Sequence, residues 1–193
     1  MRDCIANSSC SKELVPNSKQ CQIIAYPDHK LTKDMMSSHA LKVVEKLEAG
    51  GFQAFIVGGS IRDLLLNRVP KDFDVATNAT PKQIKSLFER ARIIGRRFQI
   101  VHVKLQKQII EVTTFRSNNN DSLNEQRLRT KNGMLTRDNV FGSLTDDSIR
   151  RDLSINALYF NPRDNTITDL TNGFSDIQNR IIRVIVDPFI RFR

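Results

Sequence analysis

Residues 52–87 read FQAFIVGGSIRDLLLNRVPKDFDVATNATPKQIKSL, and this run restricts the fold more than any other part of the chain. FQAFIV (52–57) is an apolar run of strand length, and Gly58-Gly59-Ser60 break it. IRDLLLN (61–67) reads as a helix, RVPK (68–71) turns the chain, and DFDVAT (72–77) is a second strand. Pro81 then sits at the first position of a helix continuing through KQIKSLFER, where its missing N–H costs nothing. Strands and helices that alternate at this spacing bury their apolar sides only as a sheet with helices laid against it.

The flanking sequence extends the pattern. Met35, Met36, Ala40, Val43, Val44 and Leu47 recur at three- and four-residue steps, an amphipathic helix that Gly50-Gly51 stops. Strands are expected around 92–95, over FQIVHVKL (98–105) and over QIIEVTTF (108–115), the last two close enough to form a hairpin. A long polar stretch, 117–142, follows; structureless loops of that length are usually functional or disordered. The spacing predicts one helix across DDSIRRDLSINALYF (146–160), ended by Asn161-Pro162. TITDL (166–170) and RIIRVI (180–185) read as strands about a turn at Asn172-Gly173. The fold class is therefore α/β (α+β), a small mixed β-sheet with flanking helices. Residues 1–33 read as a flexible N-terminal arm and 34–193 as one domain.

Composition narrows the function. With 39% apolar residues the chain can bury a core. No apolar run reaches the roughly 18 residues that span a bilayer, and the N-terminus lacks a secretory apolar region, so a soluble cytoplasmic protein without membrane insertion is expected. Cys4, Cys10 and Cys21 are odd in number and unpaired in spacing, which argues against a disulfide framework and a zinc site. The net charge is +9, and it is concentrated: residues 82–116 hold nine basic residues against Glu89 and Glu111, a net of +7. A basic face of this size attracts polyanions, whether nucleic acid, nucleoside triphosphates or an anionic membrane.

Four short stretches carry candidate chemistry. Asp72 and Asp74 fall at i and i+2 of an expected strand and so share a face. Two adjacent carboxylates repel unless a cation lies between them, and Mg2+ takes one or two carboxylates together with substrate phosphates. The alternative is a pair of solvent-facing acids balanced by lysines such as Lys71. Upstream, Gly58-Gly59 lets a backbone approach a phosphate closely, and Arg62 in the following helix adds a charge-assisted donor. Neither a G-x-G-x-x-G fingerprint nor a GK[ST] loop is present. Arg151, Asp152 and Asn156 in RRDLSINAL lie near one stripe of the expected helix, Asp152 and Asn156 at i and i+4. Glu111 is an acid within an apolar β run, a site for a third carboxylate beside Asp72 and Asp74 or for an ion pair with Arg116.

FIVGGSIRDLLLNRVPKDFDVATNATP, IIGRRFQIVHV, IIEVTTFR, RDNVFGS and RRDLSINALYF together resemble the head domain of the class II nucleotidyltransferases. These are the bacterial poly(A) polymerases and CCA-adding tRNA nucleotidyltransferases of the DNA polymerase beta superfamily. The resemblance spans roughly residues 35 to 190, with five motifs in the family's order, and IIGRRFQIVHV and NGMLTRDNVFGS place it nearer the poly(A) polymerase I branch. It implies a DNA polymerase beta-like head fold and template-independent addition of AMP from ATP to RNA 3′ ends with two Mg2+ ions. It implies that Asp72 and Asp74 bind metal, that Gly58, Gly59, Arg62, Arg151 and Asn156 hold the nucleotide, and that Asp152 is essential. Glu111 matches the strand position of a third acid, and the basic segment, with Arg96, Arg97 and Arg116, is expected to face RNA. The family continues into a helical neck and RNA-binding domains, and nothing in VDPFIRFR (186–193) resembles that neck. The expectation is a truncated or partial enzyme, with CCA addition to tRNA or an inactive RNA- or nucleotide-binding remnant as alternatives.

Overall fold

The computed structural model describes residues 21–96, 98–117 and 141–186. Eight strands form one mixed sheet: β1 (Gln22–Ile24), β2 (Ala54–Val57), β3 (Asp74–Thr77), β4 (Ala91–Ile94), β5 (Ile100–Leu105), β6 (Gln108–Thr114), β7 (Leu158–Asn161) and β8 (Thr166–Asp169). Their spatial order is β1-β8-β7-β2-β3-β6-β5-β4. Neighbours run antiparallel except β3 and β6, which are parallel in the middle of the sheet. Five helices flank the sheet: α1 (Ser38–Ala49), α2 (Gly59–Leu65), α3 (Pro81–Leu87), α4 (Leu144–Arg150) and α5 (Gly173–Gln178). Among the described residues no helix is long and apolar enough to cross a membrane.

The two faces of the sheet follow strand alternation. Ile56, Val75, Val112 and Ile110 point into the larger core, which α1 closes with Ala40, Val43, Val44 and Leu47. Burying each such aliphatic side chain contributes about 1.5–3 kcal/mol. Val57, Ala76, Phe115 and Tyr159 form a smaller cluster on the other side, joined by Phe55 and Leu144. There the Tyr159 ring packs edge-on against both Phe55 and Phe115. Two helices begin with reciprocal capping boxes, Thr80 with Gln83 for α3 and Ser143 with Asp146 for α4.

Several sequence expectations need correction. The helix expected across 146–160 is three elements: α4 ends at Arg150, a single 3-10 turn covers Ser154–Asn156, and β7 starts at Leu158. Arg151 is extended (ψ 159°), and the backbone of 152–154 pairs with 183–185 rather than with the preceding turn. Leu158, Tyr159 and Phe160 are each fully buried between β2 and β8, a burial that outweighs helical periodicity. RIIRVI forms no strand beyond an isolated bridge between Leu153 and Val184. Asn172 does turn the chain, in a left-handed conformation, but Gly173 then opens α5. β3 begins at Asp74, so Asp72 precedes the strand instead of lying on it.

The first 33 residues are also not uniformly an arm. Gln22–Ile24 pair with β8, Leu31 is buried, and His29 is buried with Nε2 against the Asn165 carbonyl at 2.8 Å. The Leu31 N–H donates to Nδ1 of the same ring. Residues 1–20, which include Cys4 and Cys10, lie outside the described residues, as do Arg97 and most of the long polar stretch (118–140).

Candidate active site

Five elements converge at one end of the central strands. β2 ends at Val57 and hands the chain to Gly58, whose backbone (φ 85°, ψ −146°) lies in a region open essentially to glycine alone. A Cβ on Gly58 would lie 3.5 Å from Asp74 Oδ2 and 4.0 Å from Arg151 Nη1. The bare backbone of Gly58 therefore lies next to both a carboxylate and a guanidinium. Asp74 opens β3 in register with Val57 of β2 and with Glu111 of β6.

Three acids shape the negative side. Burial, followed by the nearby charges of Glu111 and Asp72, pushes the Asp74 carboxyl above the usual carboxylate range, against the opposing pull of Arg151. Asp72 is exposed and Asp74 half-buried. Glu111 lies beside Asp74 by register, but its carboxylate also faces His102 across the β5–β6 pair, Oε1 to Nε2 at 3.2 Å. That contact is an ion-pair distance without hydrogen-bond geometry, since His102 Nε2 is buried without a hydrogen-bond partner. Among the described residues no cluster of three or more acids, histidines or cysteines is arranged to hold a metal. A pair of carboxylates such as Asp72 and Asp74 suits a cation that completes its shell with water and phosphate oxygens.

Two guanidiniums shape the positive side. Arg62 Nη1 donates to Asn156 Oδ1 at 2.8 Å, and its Nε and Nη2 donate to Asp63 at 2.9 and 2.8 Å. It folds back over its own helix start, Nη2 lying 3.3 Å from the Cβ position of Gly59. Arg151 Nε donates to the Tyr159 hydroxyl at 2.9 Å and its Nη2 to Asp147 Oδ2 at 3.1 Å. The Tyr159 hydroxyl in turn donates to Asp147 Oδ2 at 2.8 Å. Burial opposes the Arg151 charge, but Tyr159 and Asp147 outweigh it, and its pKa is raised. Burial above all, with the Asp147 charge adding, raises the Tyr159 hydroxyl as well, so it stays a neutral donor. Asn156 ties the two arginines together. Its carbonyl accepts from Arg151 at 3.4 Å, and its Nδ2 reaches Asp152 Oδ1 at 3.5 Å.

The structure therefore brings together Gly58, Gly59, Arg62, Asp72, Asp74, Glu111, Arg151, Asp152 and Asn156 from the end of β2, from α2, from the start of β3, from β6 and from the connection between α4 and β7. Asp152 and Asn156 meet across that turn, not along the expected helix. Arg116 shares a cavity of about 330 Å3 with Phe98, Asp147, Arg150 and Arg151, its guanidinium 4.8 Å over the Phe98 ring. Arg96 is exposed just after β4. Sequence reasoning missed Asp147 and Tyr159. Asp147 stands four residues before Arg151, so the i, i+4 spacing carried a signal. Tyr159 carried none, because it reaches Arg151 only once residues 158–161 leave the helical path.

This arrangement brings acids that suit a divalent cation together with arginines that suit phosphate, beside a backbone with no side chain. Comparison with known proteins gives the family. Residues 54–183 match the family described as Poly A polymerase head domain. Poly(A) polymerase I of Haemophilus influenzae is 52% identical over 159 residues, which cover 81% of this chain and 35% of that protein. A CCA-adding enzyme of Enterococcus faecalis is 39% identical over 153 residues, 79% of this chain and 36% of the relative. The crystal structure of the Bacillus stearothermophilus CCA-adding enzyme in complex with CTP superposes with a TM-score of 0.66 at 32% identity, covering 82% of this chain and 36% of that one. The chain thus spans a little over a third of the length of the relatives it matches. On sequence and fold together, it belongs to the poly A polymerase head-domain family.

Proposed function

We propose that this chain carries the catalytic head of a template-independent nucleotidyltransferase that adds AMP from ATP to RNA 3′ ends. The observation that carries the reading is that Asp74 and Arg151 both come within about 4.0 Å of the Cβ position of Gly58, with Arg62 over Gly59 beside them. The carboxylates fit Mg2+: burial, then the charges of Glu111 and Asp72, disfavour ionisation of the Asp74 carboxyl, and a cation relieves that repulsion. Two Mg2+ ions bound there supply charge neutralisation at the phosphates and acidify the attacking hydroxyl.

The protein's own groups do the positioning. The guanidiniums, held by Asp147, Tyr159, Asp63 and Asn156, are oriented before substrate arrives, so little reorganisation is left for the reaction. Gly58 admits a phosphate oxygen where any side chain would stand. Asp152 steadies its own turn by accepting from the Leu153 N–H at 2.8 Å, which leaves the exposed carboxylate at the rim of the site for a substrate hydroxyl. The basic segment around Arg96 and Arg116 supplies attraction for RNA.

Greater identity to poly(A) polymerase I than to CCA-adding enzymes favours ATP and mRNA-type 3′ ends over CCA addition. The test supplies the chain with Mg2+, a short RNA and labelled ATP or CTP in parallel. AMP incorporation at the 3′ end supports the reading; CTP addition to tRNA lacking its CCA end would replace it. Salt-sensitive RNA binding with no Mg2+-dependent nucleotide binding would leave only a binding remnant.

A further inference from the structure

The face of the sheet that carries Val57 and Tyr159, away from α1, extends past Asp74 to the β4 edge. Val57 pairs with Asp74, Asp74 with Glu111, Glu111 with His102 and His102 with Arg92, one cross-strand row over β2, β3, β6, β5 and β4. Partners in such a row stand on the same face. The neighbouring row toward the β5–β6 turn pairs Ile109 with Lys104, whose N–H donates to the Arg90 carbonyl at 3.0 Å. A cavity of about 400 Å3 opens on these rows, with Arg90, Arg92, Ile94, His102, Lys104 and Ile109 in its walls. From this face we infer a lane for the single-stranded RNA behind its 3′ end, held by the phosphate backbone. The inference rests on the nucleotidyl-transfer reading and adds to it the path of the upstream strand.

Charge makes the assignment. Arg90, Arg92 and Lys104 are exposed, and among the described residues none of the three has an ion-pair or side-chain hydrogen-bond partner. No acid lines the cavity. Beyond Asp74 the row holds one acid, Glu111, and His102 lies against it with Nε2 3.2 Å from Oε1. Three like charges gathered without a counter-charge repel one another, and a polyanion relieves that repulsion.

The geometry sets the kind of polyanion and its footprint. The row starts at the candidate site, so a strand whose 3′ end is there and whose upstream part follows the row meets the cations in turn. Neighbouring strands lie about 4.7–4.9 Å apart, so three steps put Arg92 about 14 Å from Asp74, the span of about four nucleotides at a rise of 3.4 Å. Ile94 and Ile109, the latter 55% exposed, offer apolar surface to bases. No aromatic ring or side-chain amide lines the cavity, so the grip falls on phosphates and is indifferent to sequence.

The test is fluorescence anisotropy with a single-stranded RNA of about 12 nucleotides, titrated at several salt concentrations, on wild type and on the double variant Arg92→Gln with Lys104→Gln. Both positions are exposed, so the fold is kept. Each phosphate contact contributes about 0.7 to the slope of log affinity against log salt, so the slope is expected to shrink by about 1.4 and affinity at about 0.1 M salt to fall about 25-fold, the two proteins converging near 1 M. Wild type is expected to lose as much when the linkages about two to five nucleotides from the 3′ end are made uncharged methylphosphonates, and the double variant to lose little more. A non-hydrolysable ATP analogue in Mg2+ is expected to bind both proteins alike. An unchanged salt slope in the variant would overturn the proposal, and so would wild-type binding indifferent to the neutral linkages. A glutamate-rich peptide that binds wild type as tightly as the RNA, and loses as much in the variant, would give the face to a protein partner and overturn it too. Failure of wild type to bind the ATP analogue in Mg2+ would instead refute the nucleotidyl-transfer reading.

Discussion

Replacing Gly58 by alanine separates backbone strain from occupancy of the site. The Gly58 backbone (φ 85°, ψ −146°) is one that residues with a Cβ rarely adopt, and holding alanine there costs about 1–3 kcal/mol. For a domain of this size each kcal/mol lowers Tm by about 2–4 °C, so the melting temperature is expected to fall by about 2–12 °C. Space is not the cause, because the new methyl meets Asp74 Oδ2 at 3.5 Å and Arg151 Nη1 at 4.0 Å, both ordinary contacts. The methyl does, however, occupy the space next to both the carboxylate and the guanidinium. Nucleotide affinity in Mg2+ is therefore expected to fall by at least about tenfold, some 1.4 kcal/mol, when read below the variant's melting range with a fluorescent ATP analogue. A scanning melt and a binding titration on the same preparation suffice. An unshifted melt would refute the strain estimate. A destabilised variant that still binds the analogue like wild type would refute the placement of phosphate at Gly58.

Three further outcomes follow from the same geometry. Tyr159→Phe keeps the ring in its cluster but removes the hydroxyl between Arg151 and Asp147, so stability is expected to fall by about 1–3 kcal/mol and nucleotide binding to weaken, read by denaturation and titration. Asp74→Asn is expected to raise the metal-free Tm at neutral pH. The raised carboxyl pKa means that stability is lost as pH climbs from the unfolded value, 3.8, through the folded one; an unaltered or lower Tm contradicts the crowding of the three acids. His29 has a pKa lowered chiefly by burial, although the Asn165 carbonyl and Asp28 oppose that effect. Its contribution is complete above the unfolded value of 6.5 and is lost as pH falls from there through the folded value, because protonation removes the acceptor for the Leu31 N–H. His29→Gln is expected to flatten that part of the pH–stability profile, and an equally steep loss in the variant would refute it.

The legible part of this chain is the part decided locally. The glycine pair, the Pro81 helix start and the β5–β6 hairpin are short-range signals, and each stands where the sequence places it. Asp74 and Glu111 were readable as neighbours only as a possibility, since their parallel pairing joins strands with α3, β4 and β5 between them. Residues 150–158 were misread because RRDLSINAL satisfies helical spacing, whereas pairing with residues 183–185 and burial of Tyr159 and Phe160 are long-range effects. Asn156 nonetheless reaches Arg62 and Asp152, from a 3-10 turn instead of a helix. The inner support of the site, Asp147 and Tyr159 behind Arg151, was the least legible part. It needs two elements to diverge before their side chains meet.

The central claim is that Asp72 and Asp74 hold the metal that drives nucleotidyl transfer. Mg2+-dependent incorporation of labelled AMP at an RNA 3′ end, compared between wild type and the Asp72→Ala and Asp74→Ala variants, tests it most directly. The account predicts incorporation by wild type, none by either variant, and a folded structure in all three by circular dichroism. Normal incorporation by either folded variant would contradict it.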